Sequence, residues 1–206
     1  DLQSGRLNKV LLSRGIMGLV IWRHWISQSE WKLDWDRFAV CALGVSLDSW
    51  DNQTVECDRH HGIVESVRSL QRLGYKRPGL ALLEDLDLAY WQIQRSIVSS
   101  WQFELPDHSR VPHLIEPDLS KERFWEWLDK NQPDVVIAGE DFMFEWLKES
   151  GRSVPEDIGL VRPQIVENKK LSGIRYDHES LGATAVDLVA SQIYNNETNK
   201  DATNPL

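Results

Sequence analysis

The stretch Ser69-Leu-Gln-Arg-Leu-Gly-Tyr-Lys-Arg-Pro-Gly-Leu-Ala-Leu-Leu83 joins two periodicities. Upstream of Gly74, Ile63, Val64, Val67 and Leu70 recur at helical spacing behind Asp58, whose carboxylate suits a helix start, and Gly74 supplies the stop. Downstream, Gly79-Leu-Ala-Leu-Leu83 carries no polar residue, as a strand covered on both faces of a parallel sheet does. The stretch thus predicts a helix over 59–73 followed by a buried strand.

The same alternation continues on both sides. Before it, Leu2, Leu7, Val10 and Leu11 have helical spacing and stop at Gly15. Met17–Trp22 and Phe38–Leu43 then read as buried strands, separated by a loop holding Trp25, Trp31 and Trp35. After it, the pattern predicts a helix over Leu88–Gln102, a short strand over Val111–Ile115 and a helix over Ser120–Lys130 with Phe124, Trp127 and Leu128 facing the core. A strand at Val135–Ala138, a helix from Asp141 to Gly151, strands at Asp157–Val161 and Leu171–Arg175, and a helix over Glu179–Tyr194 complete the series. Strand and helix in alternation specify an α/β fold whose parallel sheets are flanked by helices. The tail from Asn195 onward is polar.

Composition limits the function. The chain has 206 residues, enough for one domain or two lobes, with 41% apolar and 27% charged residues. A net charge of −9 opposes gripping phosphate backbones, so nucleic acid would have to be held by another segment. Ten Trp, against five Phe and four Tyr, supply rigid amphipathic surface for a core or a cleft. Cys41 and Cys57 fit neither a disulfide framework nor a zinc spacing, which suits a reducing cytoplasm. The longest apolar run, Ile16–Trp22, is far shorter than the roughly 18–20 residues of a membrane span.

Three stretches, in order, resemble the LacI/GalR transcriptional regulators. Residues 69–83 resemble that family's hydrophobic-x-x-Leu-Gly-His-Arg-Arg-Ile passage. Pro133-Asp-Val-Val-Ile-Ala-Gly-Glu-Asp-Phe-Met143 is similar to its Pro-Asp-Ala-hydrophobic-x-x-x-Asn-Asp-x-Met. Ser153-Val-Pro-Glu-Asp-Ile-Gly-Leu-Val161 and Leu171-Ser-Gly-Ile-Arg-Tyr-Asp-His-Glu-Ser-Leu-Gly182 resemble its Val-Pro-Glu-Asp-Ile-Ser-Val-Val and Leu-Thr-Thr-Ile-Arg-Gln passages. The resemblance implies a two-lobed core like that of type I periplasmic binding proteins, with a ligand cleft between lobes. The lobes are expected at residues 1–75 with 173–195, and at 76–172, followed by the tail at 196–206. It also implies a DNA-binding head, a hinge and a first strand–helix–strand unit ahead of Leu2, so the N-terminal lobe is expected to be incomplete here.

Most of the family's polar ligand anchors are exchanged in this sequence. The Arg-x-x-Gly pattern expected after the first strand of the second lobe is absent, and its place falls on Tyr90 or Trp91, with Arg95 one turn on. The Asn-Asp pair is Glu140-Asp141, the later Asp falls near Gln164, and the Gln after Thr-Ile-Arg is Tyr176. The exchanged set still suits a carbohydrate, because aromatic faces stack on sugar rings and carboxylates accept from hydroxyls. The candidate ligand residues are Trp22, Tyr90, Trp91, Glu140, Asp141, Gln164 and Tyr176. The aromatics and Asp141 also have a plainer reading: a large aromatic on an amphipathic helix is more often core, and Asp141, like Asp58, suits a helix cap.

The adjacent His60 and His61 point apart on a helix and cannot share a metal ion. Glu84, Asp85 and Asp87 follow a strand end, but no nucleophile or phosphate loop accompanies them, so a solvated loop is expected and no catalytic residue is assigned. The aromatic excess of Phe142, Phe144 and Trp146 falls on the helix that the resemblance places at a dimer interface. The expected function is a sugar-sensing domain of a cytoplasmic, homodimeric regulator that needs no cofactor and meets DNA through its head. A periplasmic sugar-binding protein of the same fold is the alternative, and an enzyme ranks last.

Overall fold

The computed structural model describes residues 6–22, 33–44, 53–165 and 171–198. Chain contacts divide them into two units, one within Asp1–Cys57 and Asp177–Leu206, the other Asp58–Tyr176. Among the described residues no helix is long and apolar enough to cross a membrane.

The first unit holds α1 (Arg6–Ser13), β1 (Gly18–Trp22), β2 (Ala39–Leu43), β3 (Gln53–Val55) and a C-terminal helix, α7 (His178–Tyr194). Its strands form a parallel sheet in the order β1-β2-β3. Ala39 and Cys41 of the central strand pack on Ala185 and Val189 of α7. Gly18 lets that helix approach: a Cβ there would lie 2.3 Å from a methyl of Val189. The central strand β2 is buried as its apolar run predicts, but on β1, the outer strand of the described sheet, Val20 and Trp22 are exposed. Trp35 lies in a 3-10 turn, Trp35–Arg37, while Trp25 and Trp31 fall outside the described residues.

The second unit contains α2 (Arg59–Arg72), β4 (Pro78–Leu83), α3 (Glu84–Ala89), α4 (Ile93–Phe103), β5 (Leu114–Glu116), α5 (Lys121–Asn131), β6 (Val135–Ala138), α6 (Phe142–Glu149), β7 (Gly159–Ile165) and β8 (Ser172–Arg175). Its five parallel strands run in the order β5-β4-β6-β7-β8. Side chains alternate across this sheet as its pleat requires. Leu80, Leu82, Val135 and Ile137 meet Val67 and Leu70 of α2 and Val98 and Trp101 of α4. On the opposite face Ala81, Val136 and Ala138 meet Phe124, Trp127 and Leu128 of α5 and Met143 and Leu147 of α6. Burying each of the larger side chains contributes about 1.5–3 kcal/mol.

The three family-like stretches converge at one end of this sheet. The Asp134 carboxylate accepts from the backbone N–H groups of Lys76 at 2.7 Å and Arg77 at 2.9 Å, and its carbonyl accepts from the N–H of Gly159 at 2.8 Å. The Tyr75 hydroxyl lies where a Cβ on Gly159 would stand, 2.6 Å away.

By their contacts α2, which completes the core beneath β4, and β8, which pairs with β7, both fall within the second unit. Two expectations change. The helix expected over Leu88–Gln102 is broken into α3 and α4 by left-handed residues at Trp91 (φ 49°) and Gln92 (φ 59°). The acidic Glu84, Asp85 and Asp87 form the first turn of α3 instead of a solvated loop, where carboxylates favour the helix N-terminus.

Candidate functional site

Four elements of the second unit bring polar and aromatic side chains to one cavity. At the start of α2, Asp58 caps the helix by accepting from the N–H of His61 at 2.8 Å, which sets Arg59 on the first helical position. The Arg59 guanidinium stacks over the Tyr90 ring, 4.3 Å from its centroid, and donates to the side-chain oxygen of Gln164. Tyr90 follows α3, Gln164 lies near the carboxyl end of β7, and Tyr176 directly follows β8. All three therefore lie beyond or near the carboxyl ends of parallel strands, the usual ligand side of open α/β sheets.

Ile63, Ile93 and Pro163 give the cavity an apolar wall, and Gln94 adds a second amide. Its volume is about 240 Å3, counting the part open to solvent. Gly62 is part of the construction, because the Tyr176 hydroxyl lies 2.2 Å from where a Cβ would be. Any larger residue there would push Tyr176 off α2. The arrangement offers a cation, two amides, two phenols and an apolar wall, with no carboxylate among the lining residues. Such a set has the donors, acceptors and apolar surface that a polar ring requires, and no acid/base or nucleophilic constellation is among the lining residues.

Of the seven residues singled out from the sequence, Tyr90, Gln164 and Tyr176 come together here. Trp91 does not line the cavity and is 74% exposed. Glu140 and Asp141 form a separate group at the carboxyl end of β6. Asp141 makes no capping hydrogen bond, and its carboxylate instead lies 2.7 Å from Nε of Arg162, a charge contact without hydrogen-bond alignment. Burial raises the Glu140 carboxyl above its ordinary value, against the pull of Arg162 and with the push of Asp141. Trp22 belongs to the first unit, where its ring is tilted against His178 at 6.3 Å between centroids.

Arg59 and Gln94 did not emerge from the sequence as ligand residues. The available signal for Arg59 was its place directly after a capping Asp, which puts a long cation at a helix start. Arg95, which seemed displaced by one turn, is instead engaged internally: its guanidinium pairs with the buried Asp87 at 3.1 Å. Burial raises the Asp87 carboxyl despite that pairing. Nearby, Nε2 of His113 lies 2.8 Å from the Ser99 hydroxyl, and burial together with Arg95 lowers the imidazole below its ordinary value.

His61 uses its backbone to complete the α2 cap, and among the described residues no group of three or more His, Cys, Asp or Glu is placed to hold a metal ion. The aromatic excess of α6 is largely consumed within the unit. Phe144 is buried, Phe142 and Trp146 pack at 4.5 Å between centroids, and the Trp146 carbonyl accepts from the Trp125 indole at 2.8 Å.

Neither a protein-family model nor a curated protein matches the chain. Solved structures do. A regulatory protein of the LacI family from Chloroflexus aggregans superposes with a TM-score of 0.70 at 18% identity, covering 96% of this chain and 76% of that one. A LacI family transcriptional regulator from Weissella paramesenteroides with bound glucose matches with a TM-score of 0.67 at 18% identity, over 90% of this chain and 74% of that one. A LacI family transcriptional regulator from Enterococcus faecium with bound ribose gives 0.64 at 19% identity, over 92% and 75%. The architecture expected from the three stretches is thus borne out: the chain has the α/β fold of the LacI-family transcriptional regulators.

Proposed function

We propose that this chain is the saccharide-sensing and dimerisation domain of a DNA-binding transcriptional regulator, with its effector held at the Arg59 cavity. The observation that carries the reading is the convergence of Arg59, Tyr90, Gln164 and Tyr176 beside the carboxyl ends of parallel strands. A guanidinium and amides serve hydroxyl groups, while phenol rings and the Ile63–Pro163 wall serve the C–H face of a sugar. The cavity is narrow, so its lining side chains must part to admit a sugar ring. Two of the similar structures hold glucose and ribose respectively.

The net charge of −9 supports a division of labour in which this segment senses and a basic head elsewhere grips DNA. The protein acts in the cytoplasm as a homodimer, needs no cofactor and turns over no substrate. Calorimetric titration with aldopentoses and aldohexoses tests the reading. Saturable heat is expected with at least one sugar, and Arg59→Ala weakens that binding roughly 10- to 100-fold, the usual worth of a hydrogen bond to a charged group. Absence of heat with every sugar, or an unchanged affinity in Arg59→Ala, contradicts it.

A further inference from the structure

The side-chain oxygen Oε1 of Gln94 is sealed from solvent and accepts no hydrogen bond from the protein, although Gln94 lines the cavity. An acceptor left unfilled in this way destabilises a fold by about the desolvation penalty of the group, so its retention calls for a reason. The local backbone adds a second observation. Trp91 and Gln92 adopt left-handed conformations immediately before α4, a turn that non-glycine residues rarely make and that sets the position of Gln94 on the first turn of the helix.

We propose that Gln94 is the specificity residue of the cavity, accepting a hydrogen bond from a hydroxyl of the bound ligand. The inference rests on the saccharide reading and narrows it. Arg59 only donates, so a ligand that satisfies both residues presents an acceptor on one side and a donor on the other. A ring hydroxyl does both, whereas a deoxy or O-methylated carbon at the Gln94 side does not. Because Oε1 is closed to solvent, the lining side chains part to admit the hydroxyl, and the bond is formed only in the complex.

Gln94→Met keeps the length of the side chain and removes the acceptor. The test compares wild type and Gln94→Met by ligand-free thermal denaturation and by calorimetric titration against a panel of aldopentoses, aldohexoses and disaccharides. The expected result is a ligand-free midpoint at or above that of wild type, with at least about tenfold loss of affinity for the sugar that wild type binds. Gln94→Glu, which still accepts, keeps more of that affinity than Gln94→Met. A lower ligand-free midpoint in Gln94→Met, or an affinity unchanged by it, makes Gln94 structural and overturns the proposal while the saccharide reading stands. A wild type that binds no sugar in the panel overturns both.

Discussion

At the residue scale, single side chains here either line the cavity or hold the fold, seldom both. Asp58 is a plain helix cap, yet it fixes the register that delivers Arg59 to the cavity. Arg95 has the chemistry of a ligand residue and spends it on Asp87. Tyr90, Gln164 and Tyr176 were legible as candidates because they fall on the places of the ligand anchors that the family resemblance implies. Trp91, Glu140 and Asp141 share that property and still do not line the cavity, since position along the chain does not say which way a loop turns a side chain. Arg59 was illegible for the complementary reason: it falls on none of those places and is marked only by the capping Asp58 before it.

His113 yields a prediction at this scale. Burial and Arg95 depress its pKa in the folded chain, so the folded state favours the neutral ring. As pH falls below the ordinary histidine value of about 6.5, the unfolded chain takes up a proton that the folded chain resists, and stability is lost until the folded pKa is passed. His113→Gln keeps a neutral partner for Ser99 and removes the titration. Its thermal midpoint relative to wild type should therefore rise as pH is lowered from about 7 to about 5. A difference that does not change with pH contradicts the assignment.

At the level of elements, the short apolar runs made the strands easy to place, and the buried faces of α2 and α5 appeared at their expected positions. The three family-like stretches were legible because they build one corner of a sheet, where Asp134, Tyr75 and Gly159 lock together. Their chemistry is structural, which is why they predicted a fold while leaving the ligand open. The break between α3 and α4 was not legible, because neither Trp91 nor Gln92 is a glycine or a proline. Left-handed backbone at a non-glycine residue costs about 1–2 kcal/mol. Gln92→Gly relieves it at a side chain the cavity does not use, and is expected to raise stability by about 1 kcal/mol in chemical denaturation. A lower stability would mean that the Gln92 side chain holds the turn.

At the scale of the whole molecule, the acidic balance and the abundance of Trp acquire separate meanings. The charge of −9 belongs to a segment proposed to sense and not to grip DNA. The described tryptophans mostly serve packing: Trp101 and Trp127 are buried, and Trp125 joins Trp146 through its indole hydrogen bond. None lines the cavity, where the Arg59 guanidinium stacks on the Tyr90 ring. The central claim is therefore that a fold shared with LacI-family regulators holds a saccharide on an unfamiliar set of side chains. Thermal denaturation of the purified chain, alone and with each sugar at a concentration near 100 times its Kd, tests that claim most directly. One sugar should raise the midpoint by about 5–11 °C, from a stabilisation of about 2.7 kcal/mol in a chain of this size, and Arg59→Ala, with its roughly 10- to 100-fold weaker binding, should cut the shift to about half or less under the same conditions. A midpoint that no sugar moves, or a shift that survives Arg59→Ala intact, would contradict it.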